Sequence, residues 1–194
     1  MKSRFGPQKI MFPCPVALVV TGTAERANIV TIAWVSLLTS SPPMLGISVG
    51  TRGFSGKEIS ERGEFTVNIA TSDIMREADF CGLTSGRDTD KFAATGLTKM
   101  ESSVIKAPII KECPLNFECL LESSTIFGTT NHFAAKIVET HIDNDKLKDL
   151  SDYTSIDIER FDPLIYIGGV REYRKAGPVT GKAYSVGNSI KEQQ

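Results

Sequence analysis

Apolar and polar positions fall into short blocks along most of the chain, with glycine, proline or small polar residues between the blocks. Residues 15–22, PVALVVTG, are a continuous apolar run, the pattern of a strand covered on both faces. TAERAN supplies a turn, and NIVTIAWVS (28–36) predicts the next strand, ended by Pro42 and Pro43, which cannot donate to a sheet ladder. MLGISVG (44–50) and EFTVNIA (64–70) follow as further strands. LNFECLLES (115–123) alternates, with Leu115, Phe117, Cys119 and Leu121 on one face and Asn116, Glu118 and Glu122 on the other. HFAAKIVETHI (132–142) and PLIYIGGV (163–170) complete about seven strands.

Helical patterns are fewer and shorter. SGKEISER (55–62) opens on Ser55 with Glu58 three residues later, the spacing of a capping box. Residues 72–82 and 88–96 predict two more helices, each stopped by a glycine, Gly82 or Gly96. Many strands, few helices and no βαβ alternation predict a mainly β chain: an antiparallel barrel with short helices over its ends. The 194 residues suit one domain spanning 1–194, and the tail from about residue 173 reads as a wrapping segment.

Hydrophobic residues make up 41% of the chain and charged residues 23%, so it is globular rather than disordered. A formal net charge of -1 gives no basic footprint for nucleic acid or an anionic membrane. No apolar run approaches the roughly 20 residues that span a bilayer. Prolines 7, 13 and 15 interrupt the N-terminal stretch, which reads better as the approach to a core strand than as a leader, and a cytoplasmic location is expected. The cysteines, Cys14, Cys81, Cys113 and Cys119, match no zinc or redox spacing and are expected to be reduced. No metal site is expected.

Nucleotide and hydrolase frames fail on the residues themselves. TRGFSGKE carries Gly56-Lys57, but a phosphate loop needs glycine at 51 and Ser or Thr at 58, where Thr51 and Glu58 stand. There is no Gly-x-Gly-x-x-Gly between a strand and a helix and no Gly-x-Ser-x-Gly elbow. What remains is a polar edge on an apolar barrel. Thr31, Ala33, Trp34, Val35 and Ser36 offer hydroxyls, backbone amides and one indole, and Ser48, Arg52, Ser55 and Lys57 follow on the next strand and loop. Hydroxyls and a guanidinium near a helix start suit a phosphate monoester. An indole among small residues suits a flat heteroaromatic ring or, equally, a place in the core.

The ordered string PCPVALVVTG, RANIVTIAWVSLLTSSPPMLGISVGTR, GEFTVNIA, DFCGLTSGRDTDKFAATGLT, APIIKECPLNFEC, DPLIYIGGVREYRKAG and GKAYSVGN resembles flavin reductase-like proteins, particularly the flavoredoxin branch, over nearly the whole chain. The resemblance implies an antiparallel split β-barrel of Greek-key type, usually a homodimer with FMN near the subunit interface, in which the tail can contribute. It implies that Asn28 and Thr31 to Ser36 line the ring and ribityl chain. Ser48, Val49, Arg52, Ser55 and Lys57 would approach ribityl and phosphate, with Asp90 and Lys91 close by. His132 matches the region where relatives often carry Gly-Asp-His; Thr-Asn-His stands here, so its catalytic duty is the weakest part of the match. The implied function is an FMN-binding oxidoreductase taking electrons from NADH or NADPH and passing them to free flavin or to a protein or metal acceptor. Two alternatives stay open: an electron carrier without efficient NAD(P)H reaction, and a split-barrel protein that has lost FMN and binds haem or serves assembly.

Overall fold

The structure, a computed structural model, describes residues 1–191. The chain runs through β1 (Cys14–Pro15), β2 (Ala17–Gly22), β3 (Ala27–Ile32), β4 (Val35–Ser40), β5 (Pro43–Gly50), α1 (Phe54–Arg62) and β6 (Glu64–Ile69). It continues through α2 (Met75–Leu83), α3 (Lys91–Thr95), β7 (Lys99–Met100), β8 (Ile109–Ile110), β9 (Leu115–Phe127) and β10 (Thr130–Ile142). α4 (Ile158–Phe161), β11 (Ile165–Ile167), β12 (Glu172–Arg174) and α5 (Asn188–Lys191) complete it.

Seven strands form one sheet in the order β3-β2-β6-β9-β10-β5-β4, every neighbouring pair antiparallel. The two end strands, β3 and β4, are consecutive in the chain and separated only by Ala33 and Trp34. The sheet must therefore curl until its ends meet, and the Ser48 amide, donating to the Trp34 carbonyl at 2.9 Å, ties the crossover to β5. This is the expected mainly β, antiparallel split barrel. Its interior is filled by Val19, Leu45, Ile47, Phe65, Val67, Cys119 and Phe133. Phe65 and Phe133 are fully buried, each worth about 1.5–3 kcal/mol against exposure.

A second apolar layer lies outside the barrel. Leu18, Val20 and Ile29 point outward from β2 and β3 and meet Ala78 and Cys81 of α2, Phe92 of α3, and Leu164. This explains the unbroken apolar run of residues 15–22: both faces of β2 are covered.

Three local expectations change. The stretch 28–36 is two strands, broken at Ala33-Trp34, and the prolines form the hairpin corner, with Pro43 opening β5 opposite Ser40. Proline is tolerated there because it stands at the first strand residue. α1 starts at Phe54, not at Ser55; Gly53 flanks it and no side chain caps it. The Ser55 hydroxyl is held by β3 instead, as described below. On β9, Asn116 and Glu118 are buried although they alternate with the interior face. The segment 101–113, which includes β8, covers that outer side, and Glu118 accepts the amides of Ser103, Val104 and Ile105.

Of residues 163–170, only Ile165–Ile167 is strand, pairing with β1 and β12 in a separate three-stranded sheet. The tail beyond β12 is exposed and closes on the short α5; its residues 192–194 lie outside the described part. The four cysteines are buried and unbridged. Burial, the largest influence, pushes the Cys81 thiol up to about 11 and the Cys113 and Cys119 thiols upward as well. Among the described residues no helix is long and apolar enough to cross a membrane.

Candidate functional site

The site is built around the crossover where the barrel closes. Thr31, on the last turn of β3, donates its hydroxyl to the Ala78 carbonyl of α2 at 2.5 Å, which pins the strand end to the helix. Beyond it the chain leaves the sheet for two residues, so the backbone groups of Ala33 and Trp34 are not consumed by a regular ladder. Trp34 is 52% exposed and is therefore not a core residue. A cavity of about 250 Å³ opens there, bordered by Thr31, Ala33, Trp34, Ser48, Val49 and Gly50. Val49 is buried at its rim. Val35 is half-buried against the barrel interior, and Ser36 is exposed opposite Gly46.

Ser48 joins this cavity to His132. The two residues are register partners on β5 and β10, and the Ser48 hydroxyl is hydrogen-bonded to His132 Nδ1 at 3.0 Å. The imidazole lies over Gly46, where an added Cβ would stand 2.7 Å from His132 Cε1, so the absence of a side chain at 46 makes room for the ring. His132 does not border the cavity itself; it reaches it through Ser48.

A second group of polar residues gathers at the start of α1. No side chain caps its first turn and no acidic residue stands in it, so the amides at the positive end of the helix dipole are not taken up by a cap. Arg52 lies in the turn just before, and Arg87, from the loop after α2, donates Nη2 to the Arg52 carbonyl at 3.3 Å. The Arg87 guanidinium is thus brought to the backbone just before the helix start. Glu58, the nearest acid on α1, is already paired with Arg62 at 2.9 Å.

Asn28 stands beside this group, 8% exposed. Its Nδ2 donates to the Ser55 hydroxyl at 2.9 Å, which is why Ser55 turns into the protein instead of capping α1. Its Oδ1 is buried without a partner, as is Oγ1 of Thr21, its neighbour across β2 and β3. A buried acceptor left unsatisfied costs about 1–3 kcal/mol. A Cβ at Gly86 would lie 1.9 Å from Asn28 Oδ1, so only glycine allows this loop to close. A cavity of about 270 Å³ opens beside these groups, bordered by Asn28, Phe54 and Gly86, by the cations Arg26, Arg87 and Lys99 and by the acids Glu25, Glu58, Asp88 and Asp90.

The remaining predicted residues are set in other roles. Lys57 points along the exposed face of α1 to Glu61, 3.6 Å away. Asp90 flanks α3 and accepts the Ala93 amide at 3.1 Å. Lys91 is 3% exposed, and its ammonium donates to the carbonyls of Ile29 and Cys81, each at 2.7 Å. Burial holds its pKa below the usual lysine value. It ties α2 and α3 to β3.

Sequence reasoning missed Arg87 and Gly86. Their only signal was a polar loop, TSGRDTD, in which a glycine precedes an arginine. Nothing in that spacing says that the loop folds back onto Arg52.

Comparison with known proteins agrees with the fold. The family model described as "Flavin reductase like domain" matches residues 10–176. An uncharacterised protein of Archaeoglobus fulgidus is 34% identical over 134 residues, covering 69% of this chain and 75% of that protein. Among solved structures, flavoredoxin of Desulfovibrio vulgaris (Miyazaki F) is 32% identical, covering 96% of this chain and 100% of that one, with a TM-score of 0.87. Flavoredoxin from Methanosarcina acetivorans is 29% identical, covering 98% of this chain and 100% of that one, with a TM-score of 0.88.

Proposed function

Because the chain belongs to the flavin reductase-like family, we propose that it is a flavin-dependent oxidoreductase that holds FMN between the β3–β4 crossover and the start of α1. The observation that carries this reading is Arg87 bonded to the Arg52 carbonyl beside an uncapped helix start, together with an apolar opening at Thr31 to Trp34. That donor set fits a phosphate monoester at one end and a planar ring at the other. Arg52, Arg87 and the first amides of α1 hold the phosphate. Ser48, oriented by His132, and Val49 face the ribityl chain, and Ala33 and Trp34 wall the ring. Asn28 holds the Ser55 hydroxyl in place beside that helix start. When bound, the flavin supplies the hydride and electron-transfer chemistry; the protein orients it and limits access of water.

NADH or NADPH is the electron donor in this reading, and free flavin or a protein or metal centre is the acceptor. A second reading, a flavin-bound electron carrier with little NAD(P)H reaction, is favoured by the likeness to two proteins described as flavoredoxins. The protein acts as a homodimer. In support, Leu37, Leu38, Ile126 and Phe127 stand exposed on β4 and on the tip of the β9–β10 hairpin. The four buried, unbridged thiols fit a reducing compartment, which supports the cytoplasm.

The absorption spectrum of the purified protein, with chromatography of the released chromophore, tests the cofactor. FMN bound through its phosphate end supports the reading; protein that stays colourless after reconstitution and desalting defeats it. Anaerobic rapid mixing with NADH or NADPH then separates the two readings, since fast bleaching of the flavin band means a reductase and slow bleaching a carrier.

A further inference from the structure

The contact between Ser48 and His132 carries a proton as well as an orientation. The two residues face each other on β5 and β10, with Ser48 Oγ 3.0 Å from His132 Nδ1. The ring is held from a second side by Gly46, where an added Cβ would stand 2.7 Å from His132 Cε1 and 2.8 Å from Nε2. Leu38 Cδ2 of β4 closes the same spot, 3.0 Å from that position. Both residues of the pair are half-buried, and of the two it is Ser48 that borders the opening beside Thr31, Ala33 and Trp34.

No other charge is set against the ring. Its register partners are Ser48 on β5 and Thr125 on β9, and Thr130 and Ala134 flank it two residues away on β10. Leu38 is the residue that β4 contributes. The nearest ionic groups on these strands are Lys136 and Glu122, four residues along β10 and three along β9, and they pair with each other at 2.7 Å. Among the described residues His132 has no ion-pair partner, whereas the other histidine, His141, is held by Glu118.

A neutral imidazole can accept the Ser48 proton at Nδ1, which leaves the lone pairs of the hydroxyl to the opening. In a protonated imidazole both nitrogens are donors. Ser48 must then accept from Nδ1, and its own hydrogen turns to the side that is open, the cavity. Histidine is the side chain that changes charge between about pH 5 and 8, so both states are within reach.

We propose that His132 is a proton-responsive positioning residue: a proton on Nδ1 reverses the Ser48 hydroxyl from acceptor to donor toward the opening and so favours a ligand bearing negative charge there. That this ligand is reduced FMN rests on the flavin reading above. A hydride from NADH or NADPH brings two electrons and one proton to a neutral ring and leaves it with one negative charge. The compensating proton comes from solvent to His132 Nδ1. The coupling is reciprocal: whatever reduced FMN gains from the protonated pair, the pair gains in proton affinity from reduced FMN.

The chain has two histidines, so NMR follows their imidazole protons separately, with His132→Gln identifying the His132 signal. Protein loaded with FMN is titrated from about pH 5 to about pH 9, oxidised and again after anaerobic reduction with dithionite. The His132 midpoint should rise on reduction by about one pH unit, a tenfold gain in proton affinity, and that of His141 should not follow. Ser48→Ala should lose most of the rise. Relative to free FMN, wild type should favour the reduced form about tenfold more at the acid end than at the alkaline end, about 30 mV in the two-electron potential, and His132→Gln should lose this dependence. A His132 midpoint that stays in place on reduction, or a full rise in Ser48→Ala, overturns the proposal. Protein that takes up no FMN defeats the flavin reading instead. In that protein Ser48→Ala should still move the His132 midpoint, and an unmoved midpoint there overturns the coupling of the pair as well.

Discussion

Two buried polar clusters lie on this barrel, and they are finished to different degrees. Around Glu118 the groups are paired. Its carboxylate, 0% exposed, accepts the Ser103, Val104 and Ile105 amides and lies 2.6 Å from His141 Nε2. Nearby, Asn68 and Asn116 hydrogen-bond to each other and to the Ile110 backbone. Around Asn28, by contrast, two buried oxygens have no partner, α1 has no side-chain cap and Arg87 reaches the backbone just before it. Both clusters remove polar groups from water, and only one compensates them internally. The saturated cluster clamps a loop onto the barrel; the unsaturated one gains most from a ligand.

The sharpest break of this contrast is Glu118→Ala. It strips a partner from three amides, that of Ile105 buried, and from His141, and should lower stability by about 3–5 kcal/mol in urea unfolding. The folded fraction should still take up FMN. The same site gives a pH signature. Burial alone would raise the Glu118 pKa, but the His141 contact and the three amides outweigh it and hold the group below its usual value. Its contribution is therefore present above the ordinary glutamate pKa of about 4.3 and is lost as pH falls through the lower folded value. Acid unfolding of Glu118→Gln should accordingly be less steep than that of wild type below about pH 4.3.

At the other cluster the effects should reverse. Arg52→Ala and Arg87→Ala should each weaken FMN binding by about 1.5–3 kcal/mol, read by fluorescence titration. Flavin-free stability should move by no more than about 0.5 kcal/mol, the size for an exposed side chain. Unchanged FMN affinity in both would place the phosphate elsewhere. Gly86→Ala forces a methyl into the space of Asn28 Oδ1 and should cost about 1–3 kcal/mol of stability through overpacking, together with lowered FMN affinity. The smallest effect belongs to Lys57→Ala. Its exposed pair with Glu61 should be worth about 0.3–0.5 kcal/mol, and FMN affinity should fall less than in Arg52→Ala.

The same contrast separates what was legible in the chain. Thr31, Ala33, Trp34 and Ser48 could be grouped from the sequence because they lie on two strands joined by a tight corner, and the structure does bring them to one cavity. Arg87 could not, since it is 35 residues from Arg52 and enters by a loop with no regular pattern. Ser55 carried a capping signal, but the Asn28 amide, 27 residues away in sequence, took its hydroxyl. Glu118 looked like an outward residue on a half-buried strand, and a loop covered it.

The sequence by itself determined the class of the fold. Period-two alternation, apolar runs and proline corners are local signals, and each strand and helix carries its own. It also determined the kind of chemistry available, since hydroxyls, an indole and cations are countable without coordinates. Only the tertiary structure decided which of those groups meet. Packing of the chain exposes the indole, buries Lys91 against two carbonyls, brings Arg87 onto the Arg52 carbonyl and leaves Asn28 Oδ1 without a partner. Satisfaction of a polar group depends on what the rest of the chain places within about 3 Å of it. That proximity is a property of the packed chain, and no window of sequence contains it.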